Sequence, residues 1–492
     1  MIDGHPADAT ALVSRGRTTT YGELRDQAGR LRGGLVRVGL ERGDRFAIVC
    51  GNNWYFVVSY LAALGAGLVA VPLNPQSPAP ELGRQLAEVG ARGVMVGPSG
   101  SASVAAIDRA AVPSLDVVIA AHGVELDGAL DLDELLAGEP EPMVERADED
   151  LAVLLFTSGT AGAPKAAMLS HGNLLSNFRQ TEQVKDAERS DDVILGIVPL
   201  YHILGLNGVL GLAFHAGAAV VLVERFDPVS ALASITRHGA TIVAGPPTMW
   251  TAWAMLDDAD PEAMRSVRLA ISGASKLPTA TVDRVLERFG IRIHEGYGLT
   301  ETAPIVATSI GTDAPIGSVG SPVPGVQVRV VDTDGDDTLV GDTGEIWVKG
   351  PNVFQGYWKD DEATRAVLGA DGWLRTGDLG AVDDDGYLHL IDRVKDLVIV
   401  SGFNVFPAEV EDELAAHPAV SAVAVVGIPH PHTGEAVKAY IVPVPGAALE
   451  EDELIAWCQE RIARYKCPSK IEFVDELPSG TVGKVLRRTL PR

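Results

Sequence analysis

The sequence predicts an α/β protein, and three observations carry that prediction. Short runs of β-branched and apolar residues recur at 45–50, 219–223, 241–244 and 269–272. Each follows a segment with apolar residues at helical spacing, the alternation that parallel strands with crossover helices require. At 492 residues the chain is too long for one core, which predicts about two to four domains or subdomains.

The elements follow in order. Thr20 and Glu23 form a capping box ahead of Leu24, Ala28, Leu31 and Leu35, one apolar face of a helix, and residues 45–50 continue as a buried strand. Residues 54–80 and 200–223 contain no Lys, Arg, Asp or Glu and are long enough to cross a bilayer. The first is broken by Gly65, Gly67, Pro72, Pro75, Pro78 and Pro80, and the second holds His202, Asn207 and His215. Neither has basic flanks, so each predicts a buried helix, turn and strand, not an integral membrane segment. Beyond Ala314 the texture turns Gly- and Pro-rich, with alternating strands at 326–331 and 345–349, as in a compact β subdomain. From Val394 a smaller α/β pattern begins, with a helix at 407–416 and strands at 422–426 and 439–442. No repeat of 20 to 50 residues and no low-complexity tract interrupts this order.

Charge and cysteines narrow the function classes. Lys plus Arg number 40 against 66 Asp plus Glu, a net charge of −26, which repels nucleic acid and anionic membranes. An enzyme that uses ATP therefore needs a local cationic site. Cys50, Cys458 and Cys467 are an odd number without metal-ligand spacing, which predicts reduced thiols in a cytoplasmic protein. Residues 1–11 carry two acidic side chains and no apolar core, so no signal peptide is predicted.

Chemistry-bearing residues gather in separate islands. An apolar stretch from Leu154 breaks into Thr157-Ser158-Gly159-Thr160-Ala161-Gly162-Ala163-Pro164-Lys165 and then meets Ser170-His171-Gly172-Asn173. Glycines let backbone N–H groups face a polyphosphate, hydroxyls add donors and the lysine adds charge. The run is not a Walker A loop, because Pro164 precedes Lys165 and Ala166 follows it. His294-Glu295-Gly296-Tyr297-Gly298-Leu299-Thr300-Glu301 joins glycines for close approach, an aromatic face for a base and a carboxylate suited to Mg²⁺; read alone, it is equally a strand-to-loop turn. Asp378 in Thr376-Gly377-Asp378 could grip a ribose diol, although Thr-Gly-Asp is also an ordinary turn. Asp392-Arg393-Val394-Lys395-Asp396 is a charge run followed by Ser401-Gly402, and Lys484 sits on a glycine-flanked tail.

In residues, order and spacing these islands resemble the adenylate-forming superfamily of acyl-CoA synthetases, luciferases and peptide-synthetase adenylation domains, from about Thr18 to Lys484. The resemblance implies a large N-terminal domain of α/β subdomains plus a β-rich subdomain (1–392), a hinge (393–396) centred on Lys395, and a small mobile C-terminal α+β lid (397–492). It also implies that Thr157, Ser158, Gly159, Thr160, Gly162 and Lys165 form the ATP-phosphate loop, with Thr160 and Glu301 helping to hold Mg²⁺. Tyr297 would pack on adenine beside Gly273, Ala274, Glu295 and Gly296, and Asp378 and Arg393 would fix the ribose. Lys484, Thr300, Glu301 and His202 are the implied catalytic groups. For the second step the lid would turn about Lys395 and present the Gly402 loop to the pantetheine arm of coenzyme A.

The first step sets a carboxylate against an anionic α-phosphate, so Lys484 and Mg²⁺ would offset like-charge repulsion and stabilise the transition state. Amino-acid-activating members carry Phe-Asp where this chain has Leu200-Tyr201-His202-Ile203. A substrate ammonium would be left unpaired there at a cost of several kcal/mol, roughly, which disfavours an α-amino substrate. His202 resembles the gating His of fatty-acid and aryl-acid ligases, with a merely structural role as the alternative. Acetate-specific relatives place a Trp where Gly298 stands, so Gly298 implies an open pocket. Leu204, Leu206, Gly205, Gly208 and Gly211 suggest an apolar wall with room behind it, although these glycines equally suit helix packing. No insertion of the kind found in fatty acyl-AMP ligases lies between Tyr297 and Asp378, which favours coenzyme A as acceptor. The expectation is an ATP-dependent carboxylic acid:CoA ligase for medium- or long-chain fatty acids, working through acyl-AMP with release of AMP and pyrophosphate. The alternatives are an aryl-acid CoA ligase and an adenylation enzyme that loads a carrier protein. A non-catalytic nucleotide-binding protein fits poorly, because Glu301 and Lys484 are both present, and a homodimer is compatible with the reading.

Overall fold

A capping box starts the first long helix as expected: Glu23 N donates to Thr20 Oγ1 at 3.2 Å and Thr20 N to Glu23 Oε2 at 2.8 Å. The computed structural model describes residues 1–157, 164–401, 403–478, 480 and 485–491, apart from the side chains of Lys395 and Arg488. Two large sheets form the bulk. One has seven strands, in the order Leu130–Asp131, Val117–Ala120, Ala91–Val96, Arg45–Val49, Val69–Pro72, Leu151–Thr157 and Lys165–Ser170, parallel except for the last pair. The other has nine, and its parallel middle runs Ile293–Gly298, Leu269–Ser272, Ile242–Gly245, Val193–Gly196, Ala219–Leu222 and Thr10–Ser14. The predicted parallel α/β core is thus present in two copies of one architecture.

Both uncharged stretches fold as helix, turn and strand. Trp54–Gly65 leads into Val69–Pro72, and a π-helical stretch, Leu204–Gly211, continues as the α-helix Leu212–Ala216 before Ala219–Leu222. Among the described residues no helix is long and apolar enough to cross a membrane. The β subdomain is a four-stranded antiparallel sheet of Gln327–Val331, Gly344–Lys349, Leu374–Val382 and Leu388–Arg393. Beyond it a separate five-stranded sheet uses Val398–Val400, Phe403–Val405, Val420–His430, Gly434–Pro443 and Lys470–Phe473, with the helix Pro407–Ala415 packed on Val420–His430. Sheet membership changes between Arg393 and Val398. The strand expected at 422–426 extends to His430, because the hairpin with Gly434–Pro443 holds Gly427 and Pro429 in register despite their poor strand propensity.

Buried asparagines hold the pieces that form the site. Asn52 Nδ2 donates to Val198 O at 2.8 Å and its Oδ1 accepts from Leu200 N at 2.9 Å, tying the seven-stranded sheet to the segment before His202. Asn207 Nδ2 reaches Ala303 O at 2.7 Å, Asn352 Nδ2 reaches Thr302 O at 2.8 Å and Asn177 Nδ2 reaches Ile305 O at 2.9 Å. Three neutral, fully buried side chains therefore fix the loop after Ile293–Gly298 without adding charge to it.

Candidate active site

A cavity of about 350 Å³ lies at the C-terminal ends of the parallel strands of the nine-stranded sheet, the usual ligand position in open α/β sheets. Ser272, Gly273 and Ala274 leave one strand, Gly296, Tyr297 and Gly298 the next, and all six line it. Ala274 takes a positive φ of 72°, a backbone conformation uncommon for a residue other than glycine. Thr300, Glu301, Tyr357, Arg393, Gly480 and Leu486 close the polar end. The cavity thus receives residues from both sides of the 393–398 junction.

Two charge-bearing assemblies stand at that end. Tyr297 is buried and donates its hydroxyl to Asp378 Oδ2 at 2.8 Å, while Arg393 Nε meets Asp378 Oδ1 at 2.8 Å. Burial, with Asp378 alongside, drives the Tyr297 phenol far above its ordinary range, so it serves as a donor only. In the second assembly Tyr357 donates to Glu301 Oε1 at 2.8 Å. Burial raises the Glu301 carboxyl, and the Tyr357 hydroxyl opposes that shift. Lys165 Nζ lies 5.3 Å from the centre of the Tyr357 ring and 3.4 Å from Asp360 Oδ2.

Strand Leu151–Thr157 pairs antiparallel with Lys165–Ser170, Thr157 stands opposite Lys165, and Thr157 lines the cavity. Ser158, Gly159, Thr160 and Gly162 lie outside the described residues, as do Gly402, Lys484 and the side chain of Lys395. Gly480 and Leu486, on either side of Lys484 in the chain, both line the cavity.

The acid side is built from the helix Leu204–Gly211 and its neighbours. His202 lines the cavity, its Nδ1 accepting from Leu204 N at 3.2 Å. From there the wall recedes along Leu204, Gly208 and Leu212, on the order of 10 Å at helical rise. On the facing sheet Gly298 pairs with Ile305 and Gly296 with Thr308, so Thr308 and Ile310 lie deeper than the Thr300–Glu301 loop. Thr181, Val184, Ala187 and Glu188 complete the far end.

Several expectations change. A Cβ on Gly298 would stand 1.8 Å from Pro304 O, so glycine there is required by the close approach of two strands, and an open pocket cannot be read from it. A Cβ on Gly205 would meet Pro199 O at 2.2 Å and one on Gly211 the Phe178 ring at 2.6 Å, which makes both packing glycines; Gly208 alone of the three faces the cavity. Ser170 and Asn173 form a capping box for the helix His171–Thr181, and the Asn173 amide nitrogen is bonded to Pro351 O and Val353 O, so this pair serves the fold. Glu295, expected beside the nucleotide, is buried off the cavity lining, with Oε1 accepting from Gly317 N at 3.2 Å. Tyr357 and Glu188 were not singled out in the sequence. Both reach the site only through tertiary contacts, and neither lies in a motif.

The model of the AMP-binding enzyme family matches residues 2–358, and that of the AMP-binding enzyme C-terminal domain matches 409–484. A feruloyl-CoA synthase from an Amycolatopsis species is 39% identical over 486 residues, covering 98% of this chain and 96% of that protein. A long-chain-fatty-acid–CoA ligase of Bacillus subtilis is 32% identical over 514 residues, covering 98% and 91%. The solved anthranilate CoA ligase AuaEII in complex with anthranoyl-AMP superposes with a TM-score of 0.92 at 29% identity, covering 98% of this chain and 93% of that one. Together with a cavity at the strand ends that carries Tyr297, Glu301 and Arg393, these matches make the chain a member of the AMP-binding, adenylate-forming enzymes and, within them, an ATP-dependent, AMP-forming acyl-CoA ligase.

Proposed function

We propose that the acid activated is a compact aryl acid. The observation that carries this is the far end of the cavity. Its walls are apolar at Leu204, Leu212, Ile305 and Ile310, yet it closes on Thr181, Thr308 and Glu188. A polymethylene chain reaching that end would take water from a carboxylate and give nothing back, whereas a substituted ring fills the apolar middle and can present a polar group. The fatty-acyl alternative keeps the apolar walls in its favour and the same assay decides between the two.

In the mechanism proposed, His202 and Gly298 flank the acid carboxylate, Tyr297 offers its ring to adenine, and the Asp378–Arg393 pair receives the ribose. Thr157 and Lys165 would face the phosphates, together with Ser158, Gly159, Thr160 and Gly162. Catalysis is then positioning and charge compensation, with no covalent bond to the enzyme. Among the described residues no cluster of three His, Cys, Asp or Glu could enclose a metal ion. One carboxylate, Glu301, oriented by the Tyr357 hydroxyl, suits Mg²⁺, which is commonly held by one or two carboxylates with phosphates and water. When bound, the ion supplies charge that offsets the phosphates. Lys484 would bring the second cation from the C-terminal tail during adenylation. Residues 393–396 would then act as the hinge between a core of 1–392 and a lid of 397–492, and the Gly402 loop would admit the thiol of coenzyme A. A cytoplasmic site of action is in keeping with Cys50, Cys458 and Cys467, all buried and free.

The test is pyrophosphate release over hydroxycinnamates, benzoates, octanoate and palmitate, with and without coenzyme A. Highest kcat/KM for an aryl acid, with thioester formed when coenzyme A is present, supports the reading. A preference for octanoate or palmitate overturns it.

A further inference from the structure

Glu188 is a carboxylate with no part in the adenylation chemistry, yet it lines the same cavity as Thr300 and Glu301. Its loop is tied to Arg268, just before the strand Leu269–Ser272, whereas Ser272–Ala274 leave the other end of that strand, which sets Glu188 away from the polar end. Its loop is held firmly. Arg268 Nη1 donates to Asp186 O at 3.0 Å, Nη2 donates to Ala187 O at 2.9 Å, and Nε donates to Asp192 Oδ1 at 2.8 Å. The guanidinium is bonded to the backbone and to Asp192, so among the described residues no cation is bonded to Glu188, and Arg268 favours its charge only through space.

The hydrogen bonds of the two threonines at this end do not involve Glu188. Thr181 Oγ1 donates to Asn177 O at 3.0 Å, within its own helix, and Thr308 Oγ1 accepts from Ile310 N at 3.2 Å. Among the described residues the only donor to the Glu188 carboxylate is its own backbone N–H. Burial pushes this carboxyl above the ordinary range, the mark of a group poorly compensated by its surroundings. A carboxylate has lone pairs for several donors, so most of its accepting capacity faces the cavity.

We propose that Glu188 is a specificity-determining residue that accepts a hydrogen bond from a phenolic hydroxyl at the far end of the acid substrate. The inference rests on the aryl-acid reading and narrows it to ring-hydroxylated acids. A ring seated between Leu204 and Ile305, with its carboxylate toward Thr300, directs its para position to the Glu188 end. An acid without a donor there leaves the carboxylate desolvated and unpaired, and this asymmetry is what gives a polar pocket its discrimination.

The experiment compares kcat/KM for 4-hydroxycinnamate, cinnamate and 4-methoxycinnamate in the wild-type enzyme and in Glu188→Met and Glu188→Gln, followed by pyrophosphate release. The wild type should favour 4-hydroxycinnamate over both analogues by about 10- to 100-fold, the range of one hydrogen bond to a charged group. Glu188→Met should bring the ratios close to one, and Glu188→Gln, which keeps an acceptor oxygen, should restore part of the preference. The ratios are internal to each protein, so a general loss of activity does not imitate the result, and the wild-type ratios alone test the idea should Glu188→Met not fold. Equal rates for 4-hydroxycinnamate and 4-methoxycinnamate in the wild type, or ratios unchanged in Glu188→Met, overturn the role of Glu188 while the aryl-acid reading stands. Turnover confined to fatty acids overturns both.

Discussion

The Tyr357 hydroxyl donates to the Glu301 carboxylate at 2.8 Å across 56 residues of sequence. The pair sets the orientation of the one acidic side chain on the catalytic loop, and Phe354 N donates to Glu301 O at 2.9 Å from the same segment. Tyr357→Phe removes the donor and leaves the ring. Pyrophosphate release should fall by about tenfold, with a higher Mg²⁺ concentration needed for half-maximal rate, as expected for one hydrogen bond to a charged group. An unchanged Mg²⁺ titration would remove Tyr357 from this role.

Lys484→Ala should abolish adenylate formation while sparing thioester formation from supplied acyl-AMP, because a cation brought by the tail is needed only while the phosphate is attacked. The two half-reactions can be measured separately. Equal loss of both would argue against alternation of the lid.

Gly298 cannot report on pocket size, since even Gly298→Ala drives a Cβ into Pro304 O and should cost activity toward every acid alike. Gly208 can. A Cβ there meets only the tips of Leu204, at 3.0 Å, and Pro304, at 3.5 Å, both able to give way. Gly208→Phe should therefore raise the ratio of kcat/KM for acetate or propionate over larger acids by about tenfold or more, through steric exclusion from the apolar middle of the cavity. The ratio would stay constant if the acid lay elsewhere.

Asp192 gives a pH-dependent stability. Its burial would raise the carboxyl, but Arg268, the Thr241 hydroxyl and the Arg189 amide together hold it below the ordinary range. The unfolded chain therefore binds the proton first as pH falls. Stability from this group is complete above the unfolded carboxyl value of about 3.9 and is lost as pH drops through the lower folded value. Arg268→Ala should destabilise by about 3 kcal/mol or more near neutral pH, since it strands a buried carboxylate, and the deficit should shrink in acid. Denaturant melts at pH 7 and pH 3 check the sign. A deficit that grew in acid would contradict it.

What the sequence disclosed followed the range of the interaction. The capping box at Thr20 and Glu23, the strands at 219–222 and 269–272, and the loop from Tyr297 to Glu301 were legible because their determinants lie within a few residues of one another. Tyr357, Glu188 and the reason for glycine at 298 were not, because each depends on a partner brought up by another strand or loop. The Ser170–Asn173 cluster shows the opposite failure. Its hydroxyl and amide suggested ligand contacts and were instead used within the chain to start a helix.

The place of the strand Thr10–Ser14 bears on how the molecule is assembled. It lies parallel to Ala219–Leu222 in the nine-stranded sheet, and the buried Tyr21 hydroxyl donates to Ala218 O at 2.8 Å. Thr10–Ser14 forms a hairpin with Arg17–Thr20 at once, but its other edge finds its partner only some 200 residues further along the chain, so docking of this hairpin on the sheet is a long-range event in folding. Without that hairpin Ala219–Leu222 would present an unguarded apolar edge, and chaperone dependence or aggregation on removal of residues 1–20 would follow from its exposure.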